Sequence, residues 1–570
     1  MLKTISTASF SIFKRPAILL GVFAILLGMG ACTTTPDHAR YIPKDALMVT
    51  GLNTKALTKK VAWNVITGSK LFKQMQDQMP DKNSFDLDKS GIDVINTFYV
   101  YIRGNGSLNG NMVTALVPLS DAGKWELYVK KVFPAAVVKP QGARKLAKLS
   151  ASIYAGWNDN LLIVMNVLPG QQDLQSGGYI GYADSTNVYP VASINSVSDS
   201  VVAIEMENAF SVTKENALTG NPRFAKLLHD DHDMSFWMNY DQLMTQYMSQ
   251  GMAKMMGGIT LSNVLWKDAA FAGGLDFEKG KITGDMRYYV SDDMKEAAKE
   301  LGGTDADKDM LDKLPKQDLD MAMCLHLSPK GLKAILDKTG LLGLANLALS
   351  TQGMNADYIM DAFAGDMAIT LSGLDMKKGM HEEGDAPGMN SFNGYVPAFN
   401  AIYVLKINKK ENFDKLLLLG VNSNMLRLNS NTYAIPISAT DSVIIMTSDK
   451  YAVVTNKSIN GVRYIQGNNK DQKNGAVTKV YGHPFGMYMD IQQMLKWLNP
   501  DMAGDAADNK KIAAAKNLLD NMLVTGGAFS NDAFDYHMDL NFMNKDENSL
   551  LTLLDFGMKM RQTDSLQAVK

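Results

Sequence analysis

Four times along the chain an apolar stretch with two-residue alternation gives way to a segment with helical periodicity. Ala46-Leu-Met-Val-Thr-Gly-Leu52 precedes Thr54-Lys-Ala-Leu-Thr-Lys-Lys60, and the same switch occurs at 235–256, 319–336 and 485–498. Side chains alternate across a strand but recur every three or four positions on one face of a helix. The switch therefore predicts a strand followed at once by an amphipathic helix. Hairpins are predicted at 269–290 and 528–542. In the second, Phe534, Tyr536, Met538, Leu540 and Phe542 occupy one face, while Asp535, His537, Asp539 and Asn541 occupy the other. That is the alternation of a half-buried antiparallel strand. Hairpins with segregated helices predict an α+β fold, an antiparallel sheet packed against helices.

The pattern also repeats. Asp45–Leu57 is similar to Asp320–Leu332, Asn158–Asn166 to Ser448–Asn456, Asp233–Leu243 to Pro484–Met494, and Phe271–Leu275 to Val524–Ala528. The four matches keep their order, with offsets of 275, 290, 251 and 253 between their equivalent residues (320 and 45, 448 and 158, 484 and 233, 526 and 273). Ordered matches predict two tandem related repeats, and the changes of offset locate insertions. One insertion is the polar loop 373–397 of the second half. The other lies in the first half between Asn166 and Asp233, opening at Pro169–Gly178. The expected organisation is 1–31 a removed signal peptide, 32–42 a tether, 43–302 the first repeat, 303–316 a polar linker, 317–563 the second repeat and 564–570 a tail.

The amino terminus gives an address. Lys3, Lys14 and Arg15 precede the apolar run Ala17–Ala31, which ends in Gly30-Ala31 before Cys32. A basic region, an apolar region and small residues at a cleavage point form an export signal. The cysteine directly after Gly30-Ala31 has the form of a lipobox, so Cys32 is the expected lipid attachment residue. The apolar run is shorter than the ~20 residues a spanning helix needs. Thr33-Thr-Thr-Pro-Asp37 carries no acidic or lysine-acidic cluster.

Composition narrows the partners. The net charge is −2, and no basic run supplies an electrostatic footprint for nucleic acid. The chain has 2 cysteines. Once Cys32 is acylated, Cys324 is left without an intrachain partner. It lies in the apolar strand Met321-Ala-Met-Cys-Leu-His326 and reads as a small buried hydrophobe. Stability must then come from core burial, for which 46% hydrophobic residues suffice.

Catalytic signals are weak. His229-Asp-Asp-His232-Asp233 has two imidazoles and carboxylates that could meet on a divalent ion, and a metal-dependent hydrolase using His229, Asp230, His232 and Asp233 is one reading. Yet at the offset of 251 only His232 has a counterpart, His483, and Val480 stands opposite His229. A turn before a strand accounts for that position equally well. Asp535, His537 and Asp539 share a strand face that a solvated hairpin explains. His381-Glu-Glu-Gly-Asp385 lacks the second histidine of the helical zinc pattern. Gly274–Ile282 has the wrong spacing for a phosphate loop, and Gly104–Gly110 reads as a turn between strands. Methionine is abundant, with 37 residues. Met244, Met248, Met252, Met255 and Met256 fall at helical spacing, either as a core stripe or as an adaptable groove for a lipid, peptide or protein ligand. No catalytic residue, metal or cofactor is assigned from these patterns.

Tyr41-Ile-Pro-Lys-Asp-Ala-Leu-Met-Val-Thr-Gly-Leu-Asn53, Phe224-Ala-Lys-Leu-Leu228 with Asp233–Tyr240, and Asp361–Leu371 resemble a family of uncharacterised Bacteroidetes lipoproteins, the domain of unknown function DUF4836. The resemblance implies an exported lipoprotein and brings no functional residues with it. Surface export of such lipoproteins looks like it needs an acidic or lysine-acidic cluster just after the cysteine, so its absence at Thr33–Asp37 implies an outer-membrane anchor facing the periplasm. The expectation is a non-catalytic binding, scaffolding or envelope-maintenance module. The alternatives are the metal-dependent hydrolase and a surface glycan-binding lipoprotein.

Overall fold

A computed structural model describes residues 37–69, 73, 89–105, 110–167, 199–247, 261–316, 318–378, 395–437, 442–469, 475–497 and 506–567. The fold is α+β, dominated by antiparallel sheet. The described residues of 1–258 with 270–277 form one compact unit, and those of 259–269 with 278–570 form a second.

The first unit holds β1 (Met48–Leu52), α1 (Thr54–Lys60), β2 (Phe98–Asn105), β3 (Gly110–Pro118), α2 (Ala122–Val132), β4 (Val138–Gln141), β5 (Arg144–Lys148), β6 (Ile153–Trp157), β7 (Leu161–Val167), α3 (Asp199–Phe210), α4 (Pro222–His229), β8 (Met234–Asn239) and β9 (Ala270–Glu278). Every pairing is antiparallel, in the order β4-β5-β6-β7-β3-β2-β1-β8-β9. The expected strand-to-helix switch at β1–α1 is sharp because Asn53 caps the helix, its side chain accepting from the Ala56 amide at 3.1 Å. Asp121 and Asn221 cap α2 and α4 in the same way.

Strands β6 and β7 are buried on both faces, all but one residue fully. Neighbouring residues of a strand point to opposite faces, and two helices use this. Trp157 meets Trp125 of α2 edge-on, with ring centroids 6.4 Å apart. The adjacent Gly156 lies against Met206 and Phe210 of α3, so closely that a Cβ would come within 2.6 Å of the Met206 sulfur. Helix cover on both sides explains why these strands read as continuous apolar runs.

The second unit holds β10 (Lys281–Tyr289), α5 (Lys308–Asp312), β11 (Leu319–His326), α6 (Pro329–Lys338), α7 (Leu341–Ser350), α8 (Ala356–Ala362), β12 (Phe363–Lys378), β13 (Tyr395–Ile407), α9 (Lys410–Asn422), β14 (Arg427–Asn429), β15 (Thr432–Pro436), β16 (Ser442–Thr447), β17 (Tyr451–Thr455), α10 (Ser458–Gln466), β18 (Phe485–Asp490), β19 (Leu519–Ser530) and β20 (Ala533–Phe542). Its antiparallel order is β14-β15-β16-β17-β13-β12-β11-β18-β19-β20-β10. On β17, Ala452 packs with Phe413 and Leu417 of α9, and the next residue, Val453, packs with Tyr464 of α10.

Three stretches differ from the sequence pattern. The polar segment 303–316 contains α5, whose Met310 and Leu311 are fully buried. Asp307 caps this helix, its side chain accepting from the Met310 amide at 2.8 Å. The loop expected at 373–397 is narrower, because β12 and β13 stay paired out to Lys378 and Tyr395. Residues 379–394, with His381 and Asp385, lie outside the described residues. Strand β10 pairs residue by residue with β20, from Lys281–Asn541 to Tyr289–Ala533, and so belongs to the second unit. Among the described residues no helix is long and apolar enough to cross a membrane.

Replacing Gly156 by valine should overpack the β6–α3 contact. We expect a loss of about 1–3 kcal/mol, read as a lower urea midpoint. An unchanged midpoint would show that α3 can move away at no cost.

Candidate functional site

The sequence-predicted cluster at 229–233 comes apart in the structure. His229 is the last residue of α4, whereas His232 and Asp233 lead into β8. The His232 ring lies flat over Gly274 of β9, where a Cβ would come within 2.0 Å of it. Glycine is required there by space alone. His232 Nδ1 donates to Asp276 Oδ2 at 2.8 Å. Asp233 is completely buried. Its Oδ2 accepts from Lys60 Nζ at 2.8 Å and from the Phe277 amide at 2.7 Å. Lys60 also reaches Asp276 Oδ1 at 3.2 Å, which in turn accepts from the Asp233 amide at 3.2 Å. A lysine at the end of α1 thus bridges the two carboxylates.

The second unit contains the same arrangement. His326 Nδ1 donates to Asp366 Oδ1 at 2.8 Å, and the Asp307 amide donates to that same oxygen at 3.1 Å. Lys406 pairs with Asp307 and lies 3.5 Å from Asp366 Oδ2. Both clusters therefore contain two aspartates, one binding the other's amide, a lysine spanning both, and a histidine on the second. Their positions in the sheets differ. Lys60 stands on a helix after β1, while Lys406 stands within β13.

Electrostatics separate the two aspartates of the first cluster. Burial pushes the Asp233 carboxyl above the usual carboxylate range, against the pull of Lys60 and the Phe277 amide. Burial also works to raise Asp276, but the His232 hydrogen bond, the Lys60 charge and the Asp233 amide outweigh it and hold Asp276 low. In the second cluster Asp366 is likewise held low, by His326 and Lys406 against burial. Among the described residues Asp233 Oδ1 has no hydrogen-bond partner.

The other predicted residues are engaged in pairs. Asp535 pairs with Arg287 at 3.1 Å, His537 with Asp285 at 2.9 Å and Asp539 with Lys281 at 2.9 Å, all across β10–β20. Cys324 is fully buried, with its thiol pushed up to about 12 by burial. A thiol so far above its ordinary value is not a nucleophile at neutral pH. Met244 lies in a helix, Tyr240–Tyr247, that follows β8 directly. Met248, Met252, Met255, Met256 and Cys32 lie outside the described residues. Among the described residues no group of three or more His, Cys, Asp and Glu side chains could hold a metal ion.

Sequence reasoning missed Lys60, Asp276, Asp366 and Lys406, because each meets partners far away along the chain. It also missed His38, in the short helical turn Asp37–Tyr41. The ring is buried beside Tyr99, and its Nε2 donates to the Thr97 carbonyl at 2.5 Å. Burial lowers the His38 imidazole to about 4, although Thr97, Asp37 and Asp93 favour the charged form.

A family model described as a domain of unknown function, DUF4836, matches residues 180–550. No curated protein matches the chain. Solved structures titled crystal forms I, III and IV of TP0453 align at 8%, 8% and 9% identity. They cover 46%, 48% and 48% of this chain and 81%, 90% and 88% of their own. Their TM-scores of 0.23, 0.24 and 0.24 are too low to transfer a fold or a function.

Two pH predictions follow from this geometry. Lys60→Met leaves the Asp233 carboxylate buried without its cation, which should cost about 3 kcal/mol at neutral pH. The raised Asp233 pKa puts the loss on the alkaline side, so the deficit should shrink as the pH falls and the carboxyl takes a proton. Urea unfolding at several pH values measures this, and a deficit independent of pH would contradict it. For His38 the folded value is the lower one. Its stabilisation is complete above the unfolded value of about 6.5 and is lost as pH falls toward about 4, up to ~3 kcal/mol. His38→Gln, which keeps a donor for Thr97 but does not titrate, should flatten that part of the stability profile.

Proposed function

The chain belongs to the DUF4836 family, and from that premise we propose that it is a lipid-anchored module of the cell envelope that binds or scaffolds and does not catalyse. The observation that carries this reading is the fate of its chemistry-bearing residues. His232 and Asp233, the strongest catalytic candidates in the sequence, are committed to a lysine-centred cluster, and the second unit spends His326, Asp366 and Asp307 in the same way. A lysine bridging two carboxylates offsets part of their charge and fixes their geometry, which suits a strut better than a proton-transfer site.

The anchor in this proposal is Cys32, supported by the apolar run Ala17–Ala31 and the small residues before it. More than one acyl chain on that residue would hold the protein on a membrane stably. The Thr33–Asp37 segment favours an outer-membrane anchor facing the periplasm. Two copies of one strand unit would make up the body. The pairings support this, since β4 to β9 and β14 to β19 follow the same order in their sheets. Trp237 pairs with Ala272 and Tyr488 with Leu523. Trp237 and Tyr488 differ by 251, the offset read from sequence, while Ala272 and Leu523 also differ by 251 where the sequence match gave 253. Likewise Met165 lies beside Thr114 and Thr455 beside Ile402, at offsets of 290 and 288.

Cys32→Ala should abolish incorporation of labelled palmitate and move the protein out of the lipid-anchored membrane fraction. Unchanged labelling would refute the anchor. The purified wild-type chain should turn over nothing in an unbiased hydrolase panel, with or without zinc or calcium. Turnover lost in His232→Ala would overturn the non-catalytic reading in favour of the hydrolase. Protease shaving of whole cells should leave the protein intact, and cleavage would favour the surface glycan-binding alternative.

A further inference from the structure

Helix α7, Leu341-Leu-Gly-Leu-Ala-Asn-Leu-Ala-Leu-Ser350, is the one described helix of ten or more residues that is predominantly leucine and alanine, yet it buries none of its residues fully. Leu344 is 52% exposed and Leu347 70% exposed, and Ala348 beside them is exposed too. These positions are three or four apart and so share one face. The polar Asn346 points the other way, its side chain accepting from the Ala356 amide of α8 at 2.8 Å. The helix thus lies against α6 and α8 with Leu341, Leu342 and Leu349 half-buried, and presents Leu344 and Leu347 outward. From Gly340 to Asn355 the chain carries no charged residue. At the sequence offset of 275, the first-half residues 66–75 include Lys70 and Lys73, so an uncharged apolar segment at this point is particular to the second half.

A helix that is apolar over most of its circumference is normally covered by protein or lipid. At ten residues, ~15 Å long, α7 is too short to cross a bilayer and can only lie along its surface. We propose that α7 is a second membrane contact, seated in the interfacial layer of the lipid surface to which Cys32 ties the chain. The inference rests on the anchored reading above. The four residues between Cys32 and Asp37, five steps of the chain, reach at most ~18 Å when extended, so Asp37 of an anchored chain stays close to the lipid. Tethering of that kind raises the effective concentration of any further lipid-binding segment to the millimolar range, at which a short helix suffices. With the acyl chains on Cys32 already supplying stable attachment, α7 adds a second point of contact with the same lipid surface.

The test uses the full chain purified from membranes and reconstituted in phosphatidylethanolamine and phosphatidylglycerol vesicles. A maleimide fluorophore is placed at Leu347→Cys and, as a water-exposed control, at Asp449→Cys in the turn after β16. Wild type should take no label, because Cys32 is acylated and Cys324 is buried. Lipids carrying a quencher near the headgroup should quench the label at 347 at least about twofold more than the label at 449. Adding Leu344→Lys to the 347 variant should remove that difference. A vesicle-bound chain whose 347 label behaves like the 449 label overturns the inference and leaves the anchor standing. A chain that does not bind vesicles and takes label at Cys32 overturns both. Both leucines are exposed, so the variants should fold, and an unchanged unfolding midpoint verifies this.

Discussion

Everything in this chain depends on covering strands that are buried on both faces. An antiparallel strand inside a sheet satisfies its backbone groups through its neighbours, but its side chains still need shelter on two sides. Strand β6 obtains it from Trp125 on one face and from Met206 and Phe210 on the other. Strand β17 obtains it from Phe413 and Leu417 opposite Tyr464. The helices that follow β3, β7, β13 and β17 stand where this demand puts them. Glycine at 156 is part of the same requirement, since only a missing side chain lets α3 approach the strand so closely.

With the interior built in this way, the buried charges take on a structural sense. Asp233 and Asp366 are nearly or wholly inaccessible, and an unpaired carboxylate in that position would cost several kcal/mol. Each unit supplies a lysine, a second aspartate that binds an amide, and a histidine. Because the two lysines come from different kinds of element, duplication of the sequence does not by itself account for the likeness. The common cause is physical: a buried aspartate at a strand end has few ways of being satisfied, and a lysine with a long apolar stem can reach it from a helix or a strand.

The surface reverses this economy at α7. Where the clusters hide charge, α7 displays leucine and holds on through Asn346. The N-terminal apolar run carries the same chemistry at the other end of the argument from sequence to location.

The sequence by itself determined what depends on neighbours along the chain. The strand-to-helix switch after β1 was legible because Asn53 caps α1 within three residues, and the hairpin at 528–542 because period-two alternation is local. The apolar character of Cys324 was legible for the same reason. Tertiary structure alone decided the rest. Lys60 and Asp233 are 173 residues apart in sequence, and nothing near either residue signals the other. The pairing of β10 with β20 placed Asp285 opposite His537, turning a row of possible acid–base groups into cross-strand pairs. Segment 303–316 looked like a linker from its polar residues, yet Met310 and Leu311 bring it into the core, where Asp307 meets Lys406. Periodicity and capping act over a few residues, whereas partners for buried charge are chosen by which strands the fold brings side by side.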